Sequence, residues 1–397
     1  MKIAFLTAGG LAPCLSASIG ALVERYNELF PSVELMGYLH GYKGLLLGNT
    51  LSFPPEIKDH NKLLYQFGGS PIGNSRVKLT NVDHCVSKGY INDGEDPLDV
   101  AADQLKEDGV DILHTIGGDD TNTMASVLAA HLEISGHDLT VVGLPKTVDN
   151  DVTPIQQTLG AWTAAEQGAV FFENIANENT TSTRQLIIHE VMGRHCGWLT
   201  AATANEYRKR LDKIGFFPEL LMSRERWDVD AVYIPELDWN FQEEAERLRK
   251  RMDDKDGVNI FLSEGAGLDT IVREIEAQGE DVPRDSFGHV RLDDINPGQW
   301  FARQFSQIIN AEKTLVQKSG YFSRSAAPNE KDIQLIKESA SKAVQCALDC
   351  KSGVVGMDER NDGALSLIEF KRIKGGRVFD SQKDWFQKML FEIGQVF

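Results

Sequence analysis

Short apolar runs alternate with amphipathic stretches along this chain, and glycine pairs sit at the joints. Lys2–Leu6 reads as a buried strand, Gly9-Gly10 as its loop, and about Ser16–Leu29 as the helix that follows. The unit recurs at Asp111–Ile116, Gly117-Gly118 and Thr121 to about Leu132, with a further apolar strand at Leu139–Leu144. It recurs again at Gln185–Val191, Met192-Gly193-Arg194 and Gly197–Glu206, and Val258–Ser263 is another strand, ending at Glu264-Gly265. A polar segment near Arg208–Lys213 and a charged amphipathic helix over about Asn240–Lys255 lie between these strands. A helix over Glu330–Asp349 and strand-like pieces around Ala364–Ile373 close the chain. Strands alternating with helices predict parallel sheets covered on both faces. In such folds ligands collect at the carboxyl ends of the strands, so the loops after them are where chemistry is sought.

Length and charge narrow the possibilities. A chain of 397 residues fits two or three domains and a sizeable core. Its 41 basic and 59 acidic side chains give a net charge of -18, a field that repels nucleic acid and anionic membranes. No apolar run reaches the length of a membrane span, and Met1-Lys2 leads straight into a strand, so a cytoplasmic protein is expected. Five cysteines, Cys14, Cys85, Cys196, Cys346 and Cys350, show no paired spacing, as a reducing compartment allows.

Four loops carry candidate chemistry. Gly9-Gly10-Leu11-Ala12-Pro13-Cys14 is either a tight turn or a phosphate contact through Gly10. Gly68 to Arg76 is either a solvated turn or an anion cradle closed by Arg76. In Gly117-Gly118-Asp119-Asp120, the carboxylates either cap a helix or, at Asp119, hold a magnesium ion beside phosphate. Pro145-Lys146-Thr147-Val148-Asp149-Asn150-Asp151 contains what phosphoryl transfer requires, a proton acceptor, a metal carboxylate and a cation, although Asp149 and Asp151 could equally be turn residues. No Walker A sequence, zinc spacing or GxSxG elbow is present. Asp358–Glu369 approaches a calcium loop, but Arg360 occupies a ligand position; the sequon at Asn179 has no meaning without secretion.

Taken together, from Thr7 to about Arg303, these ordered loops resemble the phosphofructokinase family, and within it the diphosphate-dependent branch. The resemblance implies two Rossmann-like three-layer α/β/α domains with mainly parallel sheets. One would hold residues 1–160 with about 290–345; the other, residues 161–289 with about 346–397. It implies Asp149 as catalytic base, Lys146 and Asp120 as the catalytic pair that selects the donor, and Asp119 and Asp151 as Mg²⁺ carboxylates. Gly10, Arg76 and Gly118 would bind diphosphate. Thr147, Met192, Gly193, Arg194, Glu264, His289 and Arg291 would contact fructose 6-phosphate, with Tyr321 and Arg324 as further candidates for which a structural role is equally open.

ATP-using members read GGDGS and PGTIDND where this chain has Asp120 and Lys146. A carboxylate at Asp120 crowds and repels a nucleotide's α-phosphate, and Lys146 can neutralise the migrating phosphoryl group. Leu11, Cys14 and Ser16 stand where those relatives carry Asp, Gly and Asn. Gln185 stands where they carry an Arg that reaches a neighbouring subunit, a role Arg184 could fill only from the other face of the strand. The expected activity is reversible transfer from diphosphate to fructose 6-phosphate by a homodimer or homotetramer. The alternatives are an ATP-dependent phosphofructokinase and a non-catalytic sugar-phosphate-binding regulatory subunit.

Overall fold

The computed structural model describes residues 1–284 and 290–395. They divide into two compact units, the first of residues 1–163 and 324–377, the second of residues 164–284, 290–323 and 378–395. This differs from the expected division. Residues 290–323 join the second unit because the strand Lys313–Lys318 pairs with Gln185–Val191, and residues 346–377 join the first because the strand Gly353–Asp358 pairs with Thr140–Pro145.

Strands are numbered along the chain. The first unit holds β1 (Lys2–Thr7), β2 (Glu34–Tyr38), β3 (Thr50–Ser52), β4 (Ile112–Gly117), β5 (Thr140–Pro145), β10 (Gly353–Asp358) and β11 (Ala364–Ile368), in the order β11-β10-β5-β4-β1-β2-β3. Only the edge strands β3 and β11 run antiparallel. Buried on both faces, the central strands are continuous apolar runs. Ala4, Leu6, Leu113 and Val141 meet the helices Pro97–Glu107 and Asp119–Ile134 on one face. The helix Glu330–Leu348 covers β5, β10 and β11 and packs on Leu15–Leu29. The result is three layers.

The second unit repeats the plan with four parallel strands, β6 (Gln185–Val191), β7 (Ala231–Tyr233), β8 (Gly257–Ser263) and β9 (Lys313–Lys318), in the order β7-β8-β6-β9. Leu186, Ile188, Ile260 and Leu262 pack against Leu248 and Met252 of the helix Phe241–Lys255 and Phe301 and Phe305 of the helix Pro297–Ile308. Asn240 caps the first of these helices by accepting from the amides of Gln242 and Glu243. On the other face His189 stacks on Phe172 with ring planes 8° apart, beside the helix Trp198–Leu211. The segment read as polar, Arg208–Lys213, is largely the last turn of that helix, where Arg208 meets Asp228 and Glu392.

Both decoys have structural occupations. Arg372 donates to both carboxylate oxygens of Asp358 at 2.7 Å each, and Asn179 is buried, donating to the side chain of Asn259 at 3.1 Å. No helix among the described residues is long and apolar enough to cross a membrane.

Candidate active site

In the first unit, β1, β4 and β5 run parallel and in register, so their loops open at one edge of the sheet. Thr7 at the end of β1 bonds Ser70 Oγ at 2.7 Å and donates to the Gly73 carbonyl at 2.8 Å, and the Gly9 amide donates to the Ser75 carbonyl at 2.9 Å. Those contacts draw the Gly68–Arg76 loop over Gly9-Gly10. A β-carbon on Gly10 would lie 3.7 Å from Arg76 Nη2, so the guanidinium stands directly over that backbone.

Lys146 is the group around which this edge is built. Its amide donates to the Gly117 carbonyl at 2.8 Å and its ammonium to the Gly10 carbonyl, so it ties all three loops together. At 3% exposure it is dehydrated, and burial pushes its pKa down to about 8; Arg76 adds to this, while Cys14, Asp149 and Asp151 pull the other way. Cys14, buried at the head of Leu15–Leu29, has its thiol pushed well up by the same burial.

The carboxylate loop is held from within. Asn150 adopts a left-handed φ of 55°, and its side chain accepts from the Thr158 amide at 2.8 Å and donates to the Gln156 carbonyl at 3.1 Å. Thr158 Oγ1 donates to the Thr147 carbonyl at 2.9 Å, and the Asp149 amide donates to Thr147 Oγ1 at 3.2 Å. Asn122 donates to the carbonyls of Gly117 and Gly118 at 3.0 and 2.8 Å, fixing the turn before Asp119. Burial raises the pKa of Asp151; the Thr147 hydroxyl opposes this and the charge of Asp119 adds to it. Two carboxylates facing one another across these loops fit Mg²⁺, which takes one or two protein carboxylates and completes its shell with phosphate oxygens and water. Asp120 is directed elsewhere: it is 65% exposed and pairs with Lys78 at 2.9 Å.

The second unit carries the other group of candidates. Gly193 has φ of 132°, and a β-carbon there would lie 2.5 Å from the Cys196 carbonyl, which explains glycine between Met192 and Arg194. Ser263 donates to the Gly193 carbonyl, the Glu264 amide to Val191 at 2.9 Å, and the Gly193 amide to Glu264 Oε1 at 3.4 Å. Burial raises the pKa of Glu264; its bond from Gly193 and the charge of Arg194 oppose this, whereas Glu190 and Asp293 add to it. Met192 abuts Gly320, and Tyr321 beyond it is 78% exposed. Arg324 ends the short helix Gly320–Arg324, where the chain returns to the first unit. Arg291 pairs with its neighbour Asp294 at 3.1 Å and is 58% exposed. His289 lies outside the described residues. Arg184 is committed within its own unit, donating to the carbonyls of Ile309 and Asn310 and pairing with Asp253 at 2.9 Å.

Several contributors were not apparent from sequence. Lys78 is remote from Asp120 in the chain, and Asn122 and Thr158 act through loop backbone rather than through a recognisable motif. Arg194 and Gly265 also line a cavity of about 590 Å³ with Trp239, Arg273 and Trp300, of the size small ligands occupy.

Comparison with known proteins bears on both units. The sequence pattern of the phosphofructokinase family matches residues 2–347. The chain is 60% identical to a pyrophosphate--fructose 6-phosphate 1-phosphotransferase of Methylomonas methanica, over 99% of this chain and 96% of that protein. It is 55% identical to a protein of the same name from Propionibacterium freudenreichii, over 99% of this chain and 98% of the other. A crystal structure of a pyrophosphate-dependent phosphofructokinase from Nitrosospira multiformis shares the fold with a TM-score of 0.70 at 15% identity, covering 98% of this chain and 91% of that one.

Proposed function

The chain belongs to the phosphofructokinase family, and from that premise we propose that it catalyses reversible phosphoryl transfer from inorganic diphosphate to the 1-hydroxyl of fructose 6-phosphate. The observation that carries this reading is the buried ammonium of Lys146, held between the Gly9-Gly10 loop and two carboxylate-bearing loops. A dehydrated, fixed cation at the end of three parallel strands is suited to charge that moves between phosphates. Relatives at 55–60% identity carry a name that states the same reaction.

In this reading Asp149 accepts the proton of the sugar's 1-hydroxyl as its oxygen attacks the near phosphorus of diphosphate in line. The bond from that phosphorus to the bridging oxygen breaks, and inorganic phosphate leaves with the bond's electron pair. Lys146 neutralises charge on the phosphoryl group as it migrates. Gly10, Gly118 and Arg76 hold the diphosphate. Asp119 and Asp151 hold Mg²⁺, which when bound screens the phosphate oxygens. Asp120, paired with Lys78 at the head of the helix Asp119–Ile134, is taken to disfavour ATP through its negative charge. Thr147, Met192, Gly193, Arg194, Glu264 and Arg291 take the sugar phosphate, with Tyr321 and Arg324 as further candidates.

Initial rates with fructose 6-phosphate and Mg²⁺ test this, with diphosphate and ATP compared as donors. Turnover with diphosphate alone is expected. Turnover with ATP alone would overturn the roles of Lys146 and Asp120, and turnover with neither would favour a binding protein. The enzyme is proposed to work in the cytoplasm as a homodimer or homotetramer; light scattering that gives the mass of one chain would refute the assembly.

A further inference from the structure

The run Lys374-Gly375-Gly376-Arg377 lies beyond the stretch matched to the family, yet it returns to the carboxylate loop of the first unit. Thr153 and Lys374 exchange a pair of backbone hydrogen bonds at 2.8 and 3.0 Å. Three residues on, the Arg377 amide donates to the Asp151 carbonyl at 3.0 Å, and its guanidinium donates to the Ile155 carbonyl and pairs with Glu359, each at 2.6 Å. Between these two clasps the chain passes flush against Asp119. A β-carbon on Gly375 would lie 1.8 Å from Asp119 Oδ2 and 2.5 Å from its Cγ. Gly376 has φ of 74°, but the backbone of Gly375 lies outside the left-handed region, so what an alanine lacks at position 375 is space.

We propose that Lys374–Arg377 is a strap that sets the position of the two metal-binding carboxylates, with Gly375 and Arg377 as positioning residues. One clasp fixes the backbone of Asp151, and the glycine surface fixes the side chain of Asp119. A small, hard cation demands near-ideal geometry from few protein ligands, so the groups that orient those ligands govern its affinity. The inference rests on the reading of Asp119 and Asp151 as the Mg²⁺ carboxylates.

The decisive variant is Gly375→Ala, which makes Asp119 turn away while leaving every proposed catalytic residue in place. The Mg²⁺ concentration for half-maximal rate is expected to rise about tenfold, the cost of losing a contact that orients a metal ligand, with the KM for fructose 6-phosphate unchanged. Mn²⁺ binding with methylenediphosphonate, followed by electron paramagnetic resonance, is expected to weaken by the same factor. Asp119→Ala serves as reference, and adding Gly375→Ala to it is expected to weaken metal binding no further.

A wild-type metal titration for Gly375→Ala beside a weakened Asp119→Ala would overturn the strap and leave the metal assignment standing. An unshifted Asp119→Ala would overturn both. Full additivity in the double variant would show that Gly375 acts elsewhere and sink the proposal. Should Gly375→Ala not fold, recovery of folding when it is combined with Asp119→Gly, which also removes the β-carbon that would lie 2.8 Å from the added methyl, supports the contact with Asp119, and failure of that pair refutes it.

Discussion

The loop after β5 in the first unit buries its cation, with Lys146 at 3% exposure, whereas the basic groups assigned to the sugar in the second unit, half-buried Arg194 and 58%-exposed Arg291, keep access to water. Both sets of loops are braced through side chains, Thr7, Asn122, Asn150 and Thr158 in the first unit and Ser263 and Glu264 in the second, where the positive φ of Gly193 also shapes the turn. Charge that must act on a transition state gains most when it is dehydrated and fixed in advance. Groups that only grip a substrate can stay hydrated until it arrives. The comparison thus predicts that substitutions in the first unit lower the rate and those in the second weaken affinity for the sugar.

Substitutions in the first unit are the strongest way to break that prediction. Asp149→Asn keeps the shape of the loop and removes the proton acceptor. A fall in kcat of about 10²- to 10⁴-fold is expected, with fructose 6-phosphate binding by calorimetry retained. Lys146→Met removes one preorganised charge, for which a loss of about 10²- to 10³-fold in kcat is expected from rapid-quench rates with diphosphate. If either variant changed the KM for the sugar and spared kcat, the division of labour would be wrong.

The sequence showed the strands β1, β4, β5, β6 and β8 and the loops after them, because strands buried on both faces are unbroken apolar runs punctuated by glycine. It did not show β10, whose short run Val354–Met357 is interrupted by Gly356 and is held as a strand between β11 and β5, the latter some two hundred residues earlier. That non-local pairing also draws residues 346–377 into the first unit against expectation. Likewise, Lys146 was legible as a cation in a carboxylate loop, but not as a buried one, since its burial comes from the Gly9-Gly10 loop far away in the chain. Gly375 is one glycine of a pair until Asp119 is seen beside it.

The second unit yields smaller effects. Glu264→Gln keeps the bond from Gly193 and discards the charge. The KM for fructose 6-phosphate is expected to rise about tenfold, as weakening one charge-assisted hydrogen bond implies, with kcat changed less. An effect confined to kcat would move Glu264 to the rate-determining side of the comparison.

The finest test is the pH dependence that burial imposes on Lys146. With its pKa lowered to about 8 in the free enzyme, the ammonium loses its proton as pH rises through that value. Consequently kcat/KM for diphosphate, which reports the free enzyme, is expected to fall above about pH 8, and by about tenfold at pH 9. The limb in kcat should lie higher, because bound diphosphate favours the charged form. Stability runs the other way across the same window. Between about pH 8 and the ordinary lysine value of 10.5, the unfolded chain holds a proton that the folded chain lacks, so this residue's contribution to stability rises with pH. Lys146→Met should abolish both trends at once. An alkaline limb near pH 8 that survives that substitution would show that another group titrates there, and that the buried cation is not what sets the rate.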